Sequence, residues 1–113
     1  MDFKTYQRRA ARTAARQPDP IHRIAILALG LAGETGEIVE PIKKYLGHGH
    51  QFDPALLEKE LGDLLWYVAN LAEEFDLDLN FIAEANIEKL SKRYPAGFTS
   101  QASIARVDEV AAA

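Results

Sequence analysis

The sequence predicts an all-α protein, a four-helix bundle that assembles into an oligomer. Three observations carry that expectation. Apolar residues recur at helical spacing through most of the chain, strand-like alternation is absent, and β-branched residues are few. Two cap-plus-proline signals, Asp19-Pro20 and Asp53-Pro54, open long periodic stretches. Apolar content is 48% over 113 residues, which suits one globular domain with one modest core and argues against disorder.

The first helix is expected from Asp2 to about Gln17, anchored by Phe3 and Tyr6. Gln-Pro-Asp-Pro then enforces a turn, because proline lacks the backbone donor that a helix needs. Helix two runs from about Pro20 to Leu46, with Pro41 inside it removing a bond to the Glu37 carbonyl and predicting a kink. Gly-His-Gly-His-Gln-Phe ends it, and His48 and His50 read as part of a solvated loop. Helix three runs from Pro54 to about Phe75, and Asp76-Leu-Asp78 breaks it, with Asp78 as a cap. Helix four continues to about Tyr94, where Pro95 and Gly97 stop it. From Phe98 onward the chain is small and polar apart from Ile104, Val107 and Val110, which predicts a tail with at most a short helix.

Composition excludes several classes. There is no cysteine, so disulfides and thiolate metal sites are ruled out. The longest run of uncharged apolar residues, Ile24 to Gly33, is too short to span a bilayer, and no apolar leader segment is visible at the N-terminus. A cytoplasmic protein without membrane contact is expected. A net charge of −4 disfavours stable nucleic-acid binding, and Arg8, Arg9, Arg12 and Arg16 read as a solvated basic face.

Four acids break the apolar pattern. The stripe of helix two contains Ile24, Leu27, Leu31, Ile38, Ile42 and Tyr45, and Glu34 falls inside it. Glu37 lies about 60° to one side. In helix three Glu60 lies amid Leu57, Leu64, Tyr67, Leu71 and Phe75, and Asp63 again stands about 60° aside. Burying an unpaired carboxylate is costly, so two helices that both do it point to a cation held between them. Carboxylate oxygens suit Mg²⁺ or Mn²⁺, which also take substrate phosphates as ligands. On helix four, Leu79, Ala83 and Leu90 form a stripe that contains Asn86, with Lys89 and Arg93 near its edge. Those two cations suit phosphate oxygens. Gly30, Gly33, Gly36 and Gly62, all inside helices, read as places of close approach.

Both central helices carry a second apolar face. Ala25, Ala28, Leu29 and Ala32 lie off the stripe of helix two, as do Leu65, Trp66 and Ala72 in helix three. A four-helix monomer of this size cannot bury two faces on each long helix, so a homo-oligomer, dimer or tetramer, is expected.

The segments LAGETGEIVEPIKK, LLEKELGDLLWYVANLA and NIEKLSKRYPAGF resemble the MazG-like nucleotide pyrophosphohydrolases. These belong to the all-α NTP pyrophosphatase superfamily, whose other members include dimeric dUTPases and dCTPases. The family pattern is EExxE, a spacer, then ExxD. Here it reads Gly33-Glu34-Thr35-Gly36-Glu37 and Glu60-Leu61-Gly62-Asp63, with glycine in place of the first acid. The resemblance covers Tyr6 to Phe98, which divides the chain into a domain over 1–98 and a tail over 99–113.

The resemblance implies Mg²⁺-dependent hydrolysis of a nucleoside triphosphate to monophosphate and pyrophosphate. Glu34, Glu37, Glu60 and Asp63 would hold the metal, and Glu37 would take the proton of the attacking water. Asn86, Lys89, Arg93 and Tyr94 match the family's second signature and would hold the phosphates, with Lys89 stabilising developing charge. The base pocket would lie between helix one and the bundle, beside Tyr6 and Gln7. Two other classes compete. A di-iron bundle needs a Glu-x-x-His motif on each of two helices, and none occurs here. A non-catalytic helical oligomer, acting as an interaction or regulatory module, is the alternative.

Overall fold

The structure is a computed structural model that describes residues 1–110. Among them every regular element is a helix: α1 (Phe3–Ala11), α2 (Pro20–Gly47), α3 (Pro54–Glu74), α4 (Leu79–Arg93), α5 (Ser100–Ala105) and α6 (Val107–Val110). The all-α expectation holds. The chain forms two compact units, one from Met1 to Asp78 and one from Leu79 onward.

In the first unit each helix starts where its capping acid stands. Asp2 accepts from the Thr5 amide at 2.8 Å, and Asp19 and Asp53 accept from Ile21 and Ala55, each at 3.0 Å. Proline follows both of the latter at the first helical position, where its missing N–H costs nothing. Helix α2 continues through Pro41 to Gly47. Just past the end of helix α3, the left-handed φ of 55° at Asp76 lets the Leu77 amide reach back to the Ala72 carbonyl at 2.9 Å. Aspartate tolerates that conformation better than most residues.

Helix α1 is shorter than the expected Asp2–Gln17 span. Past Ala11 the amides of Arg12, Thr13 and Ala14 bond three residues back, tightening the last turn. The Ala10 carbonyl there accepts from the Thr13 hydroxyl at 2.8 Å and from the Asn70 amide at 3.5 Å. Tertiary contacts with α3 thus hold the helix end. The anchors differ as well. Phe3 is exposed and Tyr6 half-buried, while Gln7 and Ala10 are buried. The Gln7 side-chain amide donates to the Leu77 carbonyl at 2.8 Å, tying α1 to the end of α3.

Helices α2 and α3 pack along their predicted stripes, except that Tyr45 and Phe75 at the stripe ends are exposed. Leu27 is buried, and Ile24, Leu31, Ile38, Ile42, Leu57, Leu64, Tyr67 and Leu71 are half-buried. The register is antiparallel. Arg23 pairs with Glu74 at 2.8 Å, and Gly30 faces the ring of Tyr67. The second apolar faces part company. Helix α1 packs on α3, where Ala72 is buried and Leu65 and Trp66 are half-buried, so that face is not open as expected. On α2, Ala25, Ala28, Leu29 and Ala32 remain exposed, Leu29 at 73%.

In the second unit Leu79 is buried and α4 packs against α6. Gly97, with φ of 87°, turns the chain after Pro95. Thr99 caps α5 by accepting from the Ala102 amide at 3.0 Å, and Arg106 adopts a left-handed conformation between α5 and α6. The tail therefore holds two short helices, and positions 111–113 lie outside the described residues.

Of the four glycines expected at close approaches, only Gly30 sits at one. A Cβ there would overlap the Tyr67 ring, whereas at Gly33, Gly36 and Gly62 it would meet nothing within 4 Å. Gly30→Ala should therefore destabilise the fold by about 1–3 kcal/mol, because the ring must move out of its place. Gly33→Ala should stabilise by up to about 1 kcal/mol through helix propensity alone. Urea unfolding of the two variants checks the contrast.

Candidate metal centre

Three of the four acids converge. Glu34 on α2 and Glu60 and Asp63 on α3 each offer a carboxylate oxygen within 4.8 Å of the others. The antiparallel register produces this: the step from Gly30 to Glu34 down α2 matches the step from Tyr67 to Asp63 up α3. Glu34 and Glu60 are half-buried and Asp63 is exposed at the rim. Glu37 is exposed and does not join the cluster.

The centre gathers like charges. A hydrogen bond shared with Glu60 pushes the Glu34 carboxyl above its ordinary value, and burial and the charges of Asp63, Glu60 and Glu37 push it further. The other oxygen of Glu34, Oε2, is buried with no hydrogen-bond partner. A buried polar atom without a partner is costly. The donor set is all oxygen, anionic and convergent, which fits a hard divalent cation. Tyr6 stands close by, and burial followed by the Asp63 charge raises its phenol above the usual value.

Beyond the acids lies a cavity of about 510 Å³, walled by the segment after α1, the first half of α2 and the second half of α3. Its lining includes Thr13, Arg16, Arg23, Leu27, Trp66, Tyr67 and Asn70. Tyr67 stands one turn past Asp63 on α3, so cavity and acids are neighbours along that helix. The Trp66 indole donates to the Thr13 hydroxyl at 2.7 Å and meets Tyr67 edge-on at 4.9 Å. Asn70 is 3% exposed, and its amide donates to the Trp66 carbonyl at 3.1 Å. Arg23 closes one side by donating to Glu74 and to the Gln17 carbonyl. Tyr6 and Gln7 do not line this space, and the Gln7 side chain bonds the Leu77 carbonyl instead. Sequence reasoning missed Asn70 and Arg23. The visible sign of Asn70 was an amide inside the apolar run LLWYVANLA.

The remaining expected residues belong to the second unit. Asn86 and Lys89 are exposed on α4. Arg93 is 9% exposed and forks onto Asp108, with Nε 2.7 Å from Oδ1 and one terminal nitrogen 2.9 Å from Oδ2. Tyr94 is half-buried beside Phe98, ring centroids 5.4 Å apart.

Residues 23–98 match the model of the MazG nucleotide pyrophosphohydrolase domain. The chain belongs to that family. It is also 37% identical to the Gene 37 protein of Mycobacterium phage L5 over 105 residues, covering 86% of this chain and 92% of that one. No solved structure matches. The MazG match spans α2, α3 and α4, and so includes every acid of the cluster and the cations of α4. Among the described residues, no helix of this MazG-family chain is long and apolar enough to cross a membrane.

The raised Glu34 carboxyl sets a sign for pH dependence. A carboxyl held above its unfolded value of 4.5 favours the protonated form in the fold. That stability is full below about 4.5 and is lost as pH rises through the raised value. Asp2, Glu40 and Asp108 are held low, so their contributions are lost only as pH falls toward and below their ordinary values of 3.8 to 4.5. In chelator, wild-type Tm should fall as pH rises above about 4.5, relative to that of Glu34→Gln, which carries no such charge. Millimolar Mg²⁺ should remove the difference in slope by stabilising the wild type alone. Thermal scans across that range, with chelator and with Mg²⁺, test both statements.

Proposed function

We propose that this MazG-family protein hydrolyses nucleoside or deoxynucleoside triphosphates to monophosphate and pyrophosphate with Mg²⁺, as a cytoplasmic housekeeper of the nucleotide pool. The observation that carries this reading is the carboxylate cluster in which Glu34 Oε2 is buried without a partner. A purely structural role gives no reason to gather three acids without a cation.

Glu34, Glu60 and Asp63 would hold the metal, and Mn²⁺ would serve in its place. When bound, Mg²⁺ would neutralise phosphate charge and lower the pKa of a water molecule. Glu37 lies one turn from Glu34 and outside the converging set. It is the carboxylate left to accept the proton of the attacking water. Lys89 and Arg93 would take charge on the phosphate oxygens, with Asn86 and Tyr94 as polar partners. The cavity beside Trp66 suits a nucleobase: its wall includes the Trp66 and Tyr67 rings and the polar residues Thr13, Arg16 and Asn70. Helix α2 leaves Leu29 at 73% and Ile21 at 78% exposure, which supports a homo-oligomer, dimer or tetramer, that covers this face.

A screen of all ribo- and deoxynucleoside triphosphates with Mg²⁺, scored for pyrophosphate, tests the activity. Pyrophosphate and monophosphate are expected, and release of orthophosphate with a diphosphate left behind would place cleavage at the wrong bond. Glu60→Leu should abolish turnover and the stabilisation by Mg²⁺. It should also raise the stability of the metal-free protein by about 1 kcal/mol, because leucine continues the apolar seam between Leu57 and Leu64. A Glu60→Leu protein that still gains stability from Mg²⁺ would rule out the acid cluster as the metal centre. Light scattering should find a dimer or tetramer at micromolar concentration, and an active monomer there would refute the oligomer.

A further inference from the structure

The second unit contains an arrangement that the proposed chemistry does not use. Arg93, at the end of α4, is held by a carboxylate fork from α6. Asp108 takes two of its nitrogens, and Glu109 approaches the same guanidinium at 3.4 Å. The Arg93 and Asp108 side chains are only 11% and 4% exposed. The guanidinium pulls the Asp108 carboxyl below its ordinary value, and the charge of Lys89 lowers it further. Asp108 is therefore bonded to Arg93 and lies in the field of Lys89, the two cations that the functional reading assigns to phosphate.

We propose that α6 is an internal stand-in for the triphosphate: Asp108 and Glu109 occupy Arg93 in the free protein, and the phosphates of the nucleotide displace them. The proposal rests on the phosphate role given to Arg93 and Lys89. A guanidinium presents the same planar fork to carboxylate and to phosphate, so one ligand can replace the other without moving the arginine. The tail is built to leave. Helix α6 has four residues, too short to be stable alone. Among the described side chains of this segment, Phe98, Ile104 and Val107 are 73%, 83% and 52% exposed. Polar contacts tie the segment down: the Arg93 fork, and a hydrogen bond from Ser103 that, with Arg93, keeps the Tyr94 phenol below its usual value. Arg106, exposed and left-handed at the junction of α5 and α6, marks where the chain would swing. An internal competitor of this kind lowers apparent affinity by the fraction of molecules in which it is docked.

The test uses full-length protein. Asp108→Asn keeps the shape and removes the charge that competes with phosphate, and Glu109→Gln is the milder variant should the first fold poorly. Asp108→Asn should lower KM for the hydrolysed triphosphate about five- to tenfold with kcat within about twofold, and Glu109→Gln should shift KM the same way by less. Calorimetric titration with Mg²⁺ and inorganic tripolyphosphate should show the same tightening. In the wild type, tripolyphosphate should speed tryptic cleavage after Arg106, read by mass spectrometry. A raised KM, or a lower kcat at unchanged KM, would mean that Asp108 positions Arg93 for substrate, and would overturn the proposal. So would cleavage after Arg106 that ignores tripolyphosphate. If the wild type hydrolyses no nucleotide, the proposed activity falls, and tripolyphosphate still judges the tail: tighter binding by Asp108→Asn keeps the proposal, and equal binding rejects it.

Discussion

The register of α2 against α3 is the constraint on which the first unit depends. Arg23 with Glu74, Gly30 with Tyr67, and Glu34 with Asp63 are successive rungs of one antiparallel seam. The middle rung is steric, the upper one is an ion pair, and the lower one is repulsive. Apolar packing between the stripes supplies the attraction that holds the acids together against their own charge. The cluster sits partway along the seam, beyond the tightest contact, and Ile38, Ile42 and Leu57 continue the packing on its far side. The centre is a region of stored electrostatic strain that a cation would relieve.

Helix α1 serves the same seam from the other side. Gln7 closes the end of α3, Thr13 receives the Trp66 indole, and Asn70 reaches the Ala10 carbonyl. These polar contacts hold the segment after α1 away from α2 and leave the cavity between them. Their partners are backbone carbonyls and a hydroxyl, which fix direction with little apolar burial. The cavity is thereby kept open by hydrogen bonds, next to a centre gathered by packing.

Much of this was legible from residue order alone. The Asp-Pro pairs fixed where α2 and α3 begin, and the stripes located Glu34 and Glu60 on facing surfaces. Helical spacing could not separate Glu37 from Asp63, because both stand about 60° off their stripes. Only the tilt and register of the helix pair bring one in and leave the other out. Periodicity also overran α1, since its end is set by contacts with α3 that no local pattern records. The second face of α3 read as open for a similar reason: its cover, α1, lies far away in sequence. The Arg93 fork was invisible because Asp108 and Glu109 look like ordinary helix-start acids.

The link between α2 and α3, from His48 to Asp53, gains a freedom from this arrangement. The Tyr67 ring seated over Gly30 forbids α2 from sliding along α3 by a residue, so the relative height of the acids is fixed inside the helix pair. The loop does not have to measure that height. Natural variation in its length, and engineered insertions at Gly49, which already adopts a left-handed φ of 72°, would leave the carboxylates in place. A chain end, a tag or a whole inserted domain could be spliced there while the seam keeps its alignment.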